Sequence, residues 1–355
     1  MGPYDASNEF RLLVALCRLA FAGADKSEVC EAPAEIDWNH LLRLARFHRV
    51  HGLVSHSLPA LRVSPADEIA AVLSEDARII AATNLSAVAE SRALLADFEA
   101  AKLPLLFLKG LTLGALAYAK PMLKMGWDID LLVSPDQVRA ASDLLRRRGY
   151  QLMLPANEAR LEAWHRRRKE SVWANEAGVY VELHSRLADN RRLIPRIDIR
   201  SPSRNVDVSE GVSLPTLADE ELFAYLCVHG ASSAWFRLKW IADLAGLLHG
   251  RPPAEIELLY QRSQELGAYR AADQALLLAD ALFGSLDGTN LGPRLLRDHS
   301  SRILFDAALR QLLSASEPTE AKFGTWRIHW TQLLLRPGLA FKVGEAARQA
   351  RDAIS

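Results

Sequence analysis

The stretch from residue 103 to residue 133 constrains the fold of this chain more than any other. Residues 103–108 form an apolar run short enough for a buried strand, and residues 129–133 form a second. Between them, residues 111–118 have the composition of a helix, and a Pro-Met pair then breaks the pattern. The stretch therefore predicts a strand, a helix and a strand in close succession.

Two aspartates lead into the second of these strands. Because side chains alternate between faces along a strand, Asp128 and Asp130 should point in the same direction. Two adjacent carboxylates repel each other unless a cation lies between them, and a hard divalent metal prefers such oxygen ligands. The sequence therefore predicts a metal site at this pair.

A predicted β-hairpin could supply a third carboxylate. Residues 171–174 and 179–184 are strand-like and flank a glycine-containing turn at residues 175–178. On the second arm, Glu182 and His184 share one face. We expect this arm to pair beside the aspartate strand, so that Glu182 completes a site for two Mg²⁺ ions. On the same face, His184 would orient a substrate or a metal-bound water.

The turn before the predicted helix suits a phosphate. Lys109 and Gly110 follow the first strand and begin the helix. Glycine lets the backbone approach a ligand closely, and a helix N-terminus offers unpaired N–H groups and the positive end of its dipole. We expect Lys109 and the Gly110 amide to hold phosphate groups, with Thr112 as a hydroxyl donor.

Composition narrows the class of protein without naming a function. The chain has 355 residues, enough for two or three packed units, and equal numbers of basic and acidic residues, 43 of each. The chain as a whole therefore lacks the excess of positive charge that attracts nucleic acid. Cys17, Cys30 and Cys227 have no metal-ligand spacing. With no predicted signal peptide and no uninterrupted apolar run long enough for a bilayer, we expect a cytoplasmic protein that does not bind membranes.

Helical patterns flank the central stretch on both sides. Residues 8–100 are predicted to be helical, including a helix capped by Asp37 that ends on a glycine stop at Gly52. Residues 188–215 are predicted to be irregular, and helices resume from residue 216. We therefore expect an α+β protein with a mixed-sheet core at residues 101–212. An N-terminal helical unit at residues 1–100 and a C-terminal one at residues 213–355 would flank it.

Three other groups of polar residues could either bind a ligand or serve only in packing and solvation. His48, His51 and His56 are spaced to share a helix face, but no nearby carboxylate or cysteine completes a metal site, so we favour ordinary surface or interface histidines. The basic run 158–169 could meet an anionic substrate, and we favour a solvated face. For His229, Arg237, Lys239 and Asp243 we favour helix packing and surface ion pairs.

Taken together, these motifs resemble the uncharacterised nucleotidyltransferases, a group within the DNA polymerase beta-like nucleotidyltransferase superfamily. The residues that carry the resemblance are Leu108-Lys109-Gly110, Tyr118, 128–133, Gly149-Tyr150, 181–184, His229, Leu238, Trp240 and Asp243. The resemblance implies a bacterial protein with a nucleotidyltransferase-like core and Mg²⁺-dependent transfer of a nucleoside monophosphate from an NTP, with ATP as the expected donor. The acceptor hydroxyl could belong to a protein, a peptide, a small molecule or RNA.

Two residues depart from the pattern of this group. Lys124 stands where relatives commonly have arginine, so the charge expected to contact the nucleotide is kept but the bidentate fork is lost. Trp127 replaces a small or polar residue and could stack on a base or pack in the core. These departures leave open an inactive nucleotide-binding regulator. A second alternative, which does not depend on them, is a scaffold whose helical units bind a protein partner while the sheet is merely structural.

Overall fold

The computed structural model describes residues 6–25, 31, 33, 35–63, 65–315 and 329–352. In these residues, helices surround a mixed β-sheet, which confirms the predicted α+β fold with helical flanks. Cys17 and Cys227 are buried free thiols, whereas Cys30 lies outside the described residues. The boundaries predicted at residues 100 and 212 stay predictions.

The central sheet has five strands in the order β1-β2-β5-β4-β3. Strand β2 pairs with β5 in parallel, and the other neighbours pair antiparallel. The aspartate strand and the second arm of the hairpin are therefore neighbours, as predicted. The strands are β1 (Leu106–Phe107), β2 (Asp128–Leu132), β3 (Gln151–Leu154), β4 (Glu170–Ala174) and β5 (Tyr180–His184).

The helices form layers on both faces of this sheet. The first group is α1 (Asn8–Leu19), α2 (Trp38–Phe47), α3 (His51–Ser57), α4 (Asp67–Ala100), α5 (Leu111–Tyr118), α6 (Val138–Arg147) and α7 (Leu161–His165). The second group is α8 (Asp219–Ser232), α9 (Leu238–Leu248), α10 (Pro253–Leu266), α11 (Arg270–Phe283), α12 (Leu291–Leu295), α13 (His299–Ser314) and α14 (Leu339–Asp352).

The two faces of the sheet have different roles because strand side chains alternate. Ile129 and Leu131 of β2 pack with Val181 and Leu183 of β5 into a core that α4 and α6 complete. The intervening residues, Asp128 and Asp130 on β2 and Glu182 and His184 on β5, therefore project from the opposite face. Packing of the apolar face thus fixes the direction of the acids.

The predicted glycine stop at Gly52 is wrong. Helix α2 ends at Phe47, and Arg49 takes the left-handed conformation there, with φ 57°. Gly52 lies inside α3, where a Cβ would come within 2.4 Å of the Leu123 carbonyl oxygen. The glycine is therefore needed for close packing of α3 against the turn before the aspartate strand.

The prediction of irregular structure across residues 188–215 is wrong at its C-terminal end. Strands β6 (Ser203–Ser209) and β7 (Val212–Leu217) form an antiparallel hairpin of their own. Only Val206 and Val208 are buried along β6. Two apolar residues are too few to show in the sequence the alternation of buried and exposed positions that marks a strand. Pro215 inside β7 further weakened the strand pattern.

Helix α4 is continuous through its middle and long enough to cross a membrane. It has 34 residues and a mean hydropathy of 1.2 in its most apolar window, of which 28% is buried in the protein. Core helices of globular proteins pass the same length and composition test. The absence of membrane binding therefore stays a prediction. Near the middle of α4, Asn84 donates to the Pro121 and Lys124 carbonyls, which ties α4 to the turn before β2.

Candidate active site

Two carboxylates from distant parts of the chain meet at the centre of the sheet. Asp130 of β2 lies directly opposite Glu182 of β5 in the parallel register. Ligand atoms of Asp130, Glu182 and His184 all lie within 4.8 Å of one another. Asp128 lies two residues earlier on the same face and lines the same cavity, but it is not part of this close group.

Asp130 is nearly fully buried and is held by two cationic partners. Lys109 Nζ lies 2.8 Å and His184 Nε2 lies 3.0 Å from its Oδ1 atom. Burial opposes ionisation, but Lys109 and His184 hold the pKa of Asp130 well below its usual value. The carboxylate is therefore charged and fixed in place.

Glu182 has the opposite electrostatic character. Burial raises its pKa to about 7; the hydrogen bond with His184 opposes this rise, and repulsion from Asp130 and Glu170 adds to it. His184 connects the acids, with Nε2 3.5 Å from Glu182 Oε2 and Nδ1 3.3 Å from Glu170 Oε2. Glu170, which pairs opposite His184 across β4 and β5, is a site residue that sequence reasoning missed.

Lys109 and Gly110 lie where the sequence predicted, but Thr112 does not reach the site. Gly110 precedes α5 with φ 62°, a conformation that glycine adopts without strain. Both residues line the cavity beside the acids. Thr112 is buried, and its hydroxyl donates to the Lys109 carbonyl oxygen. It therefore supports the turn and lines neither of the two cavities that meet at the aspartates.

Two cavities share a wall at the aspartates. One, of about 300 Å³, lies between the acid face of the sheet and helices α8 and α9. The other, of about 250 Å³, lies towards α4 and the β4–β5 turn. Lys109, Gly110, Trp127, Asp128 and Asp130 line both cavities. A substrate that reacts at the aspartates can therefore extend to either side.

Lys124 faces the larger cavity but is already paired. Its Nζ atom lies 2.6 Å from Asp243 Oδ2, and Tyr118 donates to Asp243 Oδ1 at 2.9 Å. Lys124 and Asp243 are both buried, so the surface ion pair expected for Asp243 is wrong. Trp127 is 59% exposed and therefore does not pack in the core.

The far wall of the larger cavity is formed by residues to which sequence reasoning gave no functional role. Arg49, His229, Lys239 and Trp240 line it. Burial lowers the pKa of Lys239 to about 7, and the nearby Lys124 and Arg49 charges contribute. His229, Lys239 and Trp240 are near one another in the sequence, but no local spacing joins Arg49 to them. They meet because the loop after α2 packs against the start of α9.

Among the described residues, the early histidines form no metal site, but two of them are buried, whereas the sequence favoured surface or interface positions; His56 is exposed. His48 is buried and its Nδ1 atom accepts a hydrogen bond from the Leu238 N–H, while His51 is also buried. In the part of the chain that the structure describes, only Asp130, Glu182 and His184 meet the geometry of a metal-ligand group. In the basic run 158–169, Lys169 lines the larger cavity and contacts Glu170.

The mixed sheet, its carboxylates on neighbouring parallel strands and the adjoining glycine turn define a nucleotidyltransferase-like protein. Residues 34–284 match the family described as uncharacterised nucleotidyltransferase, and the chain belongs to this family. The match extends from the residues before α2 to the end of α11, so it includes both walls of the larger cavity. No curated protein matches the chain. The resemblance expected from the sequence motifs is thereby confirmed.

Proposed function

We propose that this protein is a Mg²⁺-dependent nucleotidyltransferase. It would transfer a nucleoside monophosphate from an NTP, with ATP as the expected donor, to a hydroxyl of a protein, peptide, small molecule or RNA. The observation that carries the proposal is the register of β2 and β5, which places Asp130 beside Glu182 with Lys109 at 2.8 Å from Asp130. Membership of the nucleotidyltransferase family supports the same reaction class.

The donor set of this site fits magnesium. Asp128, Asp130 and Glu182 offer carboxylate oxygens, the ligands that Mg²⁺ prefers, and the last two already lie close together. We assign these three residues as the Mg²⁺ ligands, and His184 as the residue that orients Asp130 and Glu182. Bound Mg²⁺ supplies charge neutralisation and alignment of the reacting phosphate oxygens.

The protein groups then have separate tasks in the transfer. Glu182 takes the proton of the acceptor hydroxyl, whose oxygen forms a bond to the α-phosphorus of the NTP. The bond from this phosphorus to the bridging oxygen breaks, and pyrophosphate leaves. Lys109 and the Gly110 N–H hold the triphosphate at the start of α5, where the helix dipole favours negative charge.

Calorimetric titration of each NTP, with Mg²⁺ and with a chelator, tests the proposal. We expect Mg²⁺-dependent binding that disappears in the double variant Asp128→Ala/Asp130→Ala. The matched control is Asp136→Ala/Asp143→Ala, which removes two exposed acids that follow β2. NTP binding that survives in the first variant, or no binding under any condition, would contradict the proposal. The second result would favour a scaffold function.

One observation favours a second function, nucleotide binding without transfer. The Lys124 ammonium is bonded to Asp243, so it lacks a free charge for a phosphate in this arrangement. Incubation with α-labelled NTP and fractionated cell extract separates the two functions. Label that becomes attached to an acceptor, and that requires Asp130, supports transfer. Mg²⁺-dependent binding without any labelled acceptor supports a regulator.

A further inference from the structure

Two cations on the far wall of the larger cavity differ from the other basic residues around them. Lys109, Lys124 and Lys169 each contact a carboxylate. Arg49 and Lys239, by contrast, form no ion pair with any acid among the described residues, although both line the cavity. Both are also partly buried, so water solvates them only in part. The cavity therefore presents two positive charges without a protein counter-ion.

A junction between the N-terminal and C-terminal helices places these two charges together. The Lys239 N–H donates to the His48 carbonyl oxygen at 3.3 Å, and the Leu238 N–H donates to His48 Nδ1 at 3.1 Å. Arg237 reaches back to the Phe47 carbonyl oxygen. Arg49 is the next residue after His48, so the end of α2 and the start of α9 position both cations.

The local electrostatics favour an anion between them. Burial lowers the pKa of Lys239 to about 7, and repulsion from Lys124 and Arg49 adds to this effect. The Trp240 ring, whose centroid lies 5.5 Å from Lys239 Nζ, and the attraction of Asp243 offset only part of this cost, and a bound anion removes more of it. On the opposite wall, the acids suit a metal rather than an anion.

We propose that Arg49 and Lys239 bind the β- and γ-phosphates of the NTP, so that the two helical regions together hold the leaving pyrophosphate. This inference rests on the proposed function, since it assumes that the α-phosphate lies at the aspartates. A triphosphate can contact both walls of the cavity because its negative charges are spread along three consecutive phosphates. Its first phosphate would lie at the acid wall, and its last two would reach the cationic wall across a cavity of about 300 Å³.

The conformation of Arg49 allows a substitution that removes the charge and keeps the backbone. Its φ of 57° ends α2 in the left-handed region, where glycine is the favoured residue. Arg49→Gly should therefore fold with unchanged or higher stability. Lys102→Gly is a matched control, because Lys102 is exposed, has φ 56° after α4 and lines neither cavity. Lys239→Gln removes the second charge.

Calorimetry with inorganic tripolyphosphate, an NTP and the corresponding NMP, each with Mg²⁺, tests the assignment. We expect Arg49→Gly and Lys239→Gln each to weaken tripolyphosphate and NTP binding about tenfold or more, since each removes a charge-assisted contact. NMP binding should be unchanged, and Lys102→Gly should bind all three ligands normally. Unchanged tripolyphosphate binding, or an equal loss of NMP binding, in folded variants would overturn the inference.

A chelator separates failure of this inference from failure of the proposed function. Tripolyphosphate should still bind the metal-free protein weakly through Arg49 and Lys239, and Arg49→Gly should abolish that binding. If this holds but NTP binding shows no Mg²⁺ dependence, the proposed function fails and the phosphate site remains. If NTP binding depends on Mg²⁺ and on the aspartates but not on Arg49 or Lys239, only the phosphate assignment fails.

Discussion

The two walls of the larger cavity are built in different ways. The acid wall consists of side chains on two adjacent strands, whose positions follow from strand alternation and from the pairing of Asp130 with Glu182. The cationic wall consists of Arg49 from the loop after α2 and Lys239 from the start of α9, about 190 residues apart in the chain. Only tertiary packing brings these two together.

The walls also differ in how their charges are compensated. On the acid wall, Asp130 contacts Lys109 and His184, so its charge is balanced before any ligand binds. On the cationic wall, Arg49 and Lys239 have no acidic partner in the described residues, and Lys124 between the walls is bonded to Asp243. A cation that already pairs with an acid gives up part of that contact when it binds a ligand, as Lys109 would at Asp130, whereas Arg49 and Lys239 lose no ion pair with a described residue. The following changes test this difference between paired and unpaired cations.

The largest expected effect is on stability, at the buried pair of Lys124 and Asp243. Lys124→Met should lower the free energy of unfolding by about 3 kcal/mol, because it leaves the Asp243 carboxylate buried with only the Tyr118 hydroxyl as partner. Urea unfolding measures the change. The double variant Lys124→Met/Asp243→Leu should recover part of the loss, since neither charge then remains.

An exposed ion pair provides the control for this prediction. Arg78 and Glu75 pair on the surface of α4 with both side chains more than half exposed. Arg78→Met should therefore leave the free energy of unfolding nearly unchanged, because an exposed ion pair contributes little to stability. If Lys124→Met is as mild as Arg78→Met, Lys124 is not a structural cation and the comparison of the walls fails.

The next effect is a pH dependence of stability at Glu182. Its pKa is raised from 4.5 to about 7, so in this pH range the folded protein keeps a proton that the unfolded chain has lost. Folding therefore takes up a proton, and the metal-free protein should lose stability, on the order of 2 kcal/mol, as the pH rises through this range. Thermal and urea unfolding in a chelator should show this decline.

Glu182→Gln should remove that decline because glutamine does not titrate. Glu176→Gln, an exposed position in the turn of the same hairpin, is the matched control and should keep it. A decline of equal size in Glu182→Gln would show that another group is responsible. Added Mg²⁺ should stabilise the wild type at high pH more than Glu182→Gln, since the metal needs the ionised carboxylate.

Sequence patterns were sufficient for the acid wall except for Glu170. Because side chains alternate along a strand, the sequence predicted that Asp128, Asp130 and Glu182 point to the same side of the sheet. The hairpin with its glycine turn predicted which strand lies beside β2. Helix α5 has the predicted bounds because a buried strand and a glycine precede it and the Pro-Met pair at residues 121–122 follows it. These features are local in sequence, so local rules recover them.

The cationic wall could not be predicted because its geometry depends on distant contacts. Nothing around Arg49 indicates that it ends a helix, since glycine usually takes the left-handed position that it occupies. The expected stop at Gly52 is instead a packing glycine inside α3. Likewise, Thr112 looked like a ligand residue from its spacing, but its hydroxyl bonds to the Lys109 carbonyl oxygen.

A smaller effect should appear in the pH dependence of phosphate binding. Because the pKa of Lys239 is about 7, its side chain carries a full charge only below that pH. Tripolyphosphate affinity relative to that of Lys239→Arg should therefore fall about threefold to tenfold between about pH 6 and pH 8, since arginine stays charged. The other charged or titratable groups that face Lys239 are Arg49, Lys109, Lys124, His229 and Asp243.

The ratio to Lys239→Arg is the informative quantity, because titration of the ligand and of the other groups affects both proteins. Calorimetry in a chelator gives the two affinities at each pH. A constant ratio would mean that Lys239 is not the titrating contact, and would place the phosphates elsewhere in the cavity. A falling ratio would identify Lys239 as the uncompensated cation that distinguishes this wall.

The smallest effect is expected at Trp127, which lies between the two cavities and is 59% exposed. Trp127→Ala should leave the melting temperature nearly unchanged, because the side chain contributes little to the core. It should weaken NTP binding about fivefold through loss of base stacking and leave tripolyphosphate binding unaltered. Equal weakening of both ligands would show that Trp127 acts on the phosphates, and unchanged binding of both would place the base away from this wall.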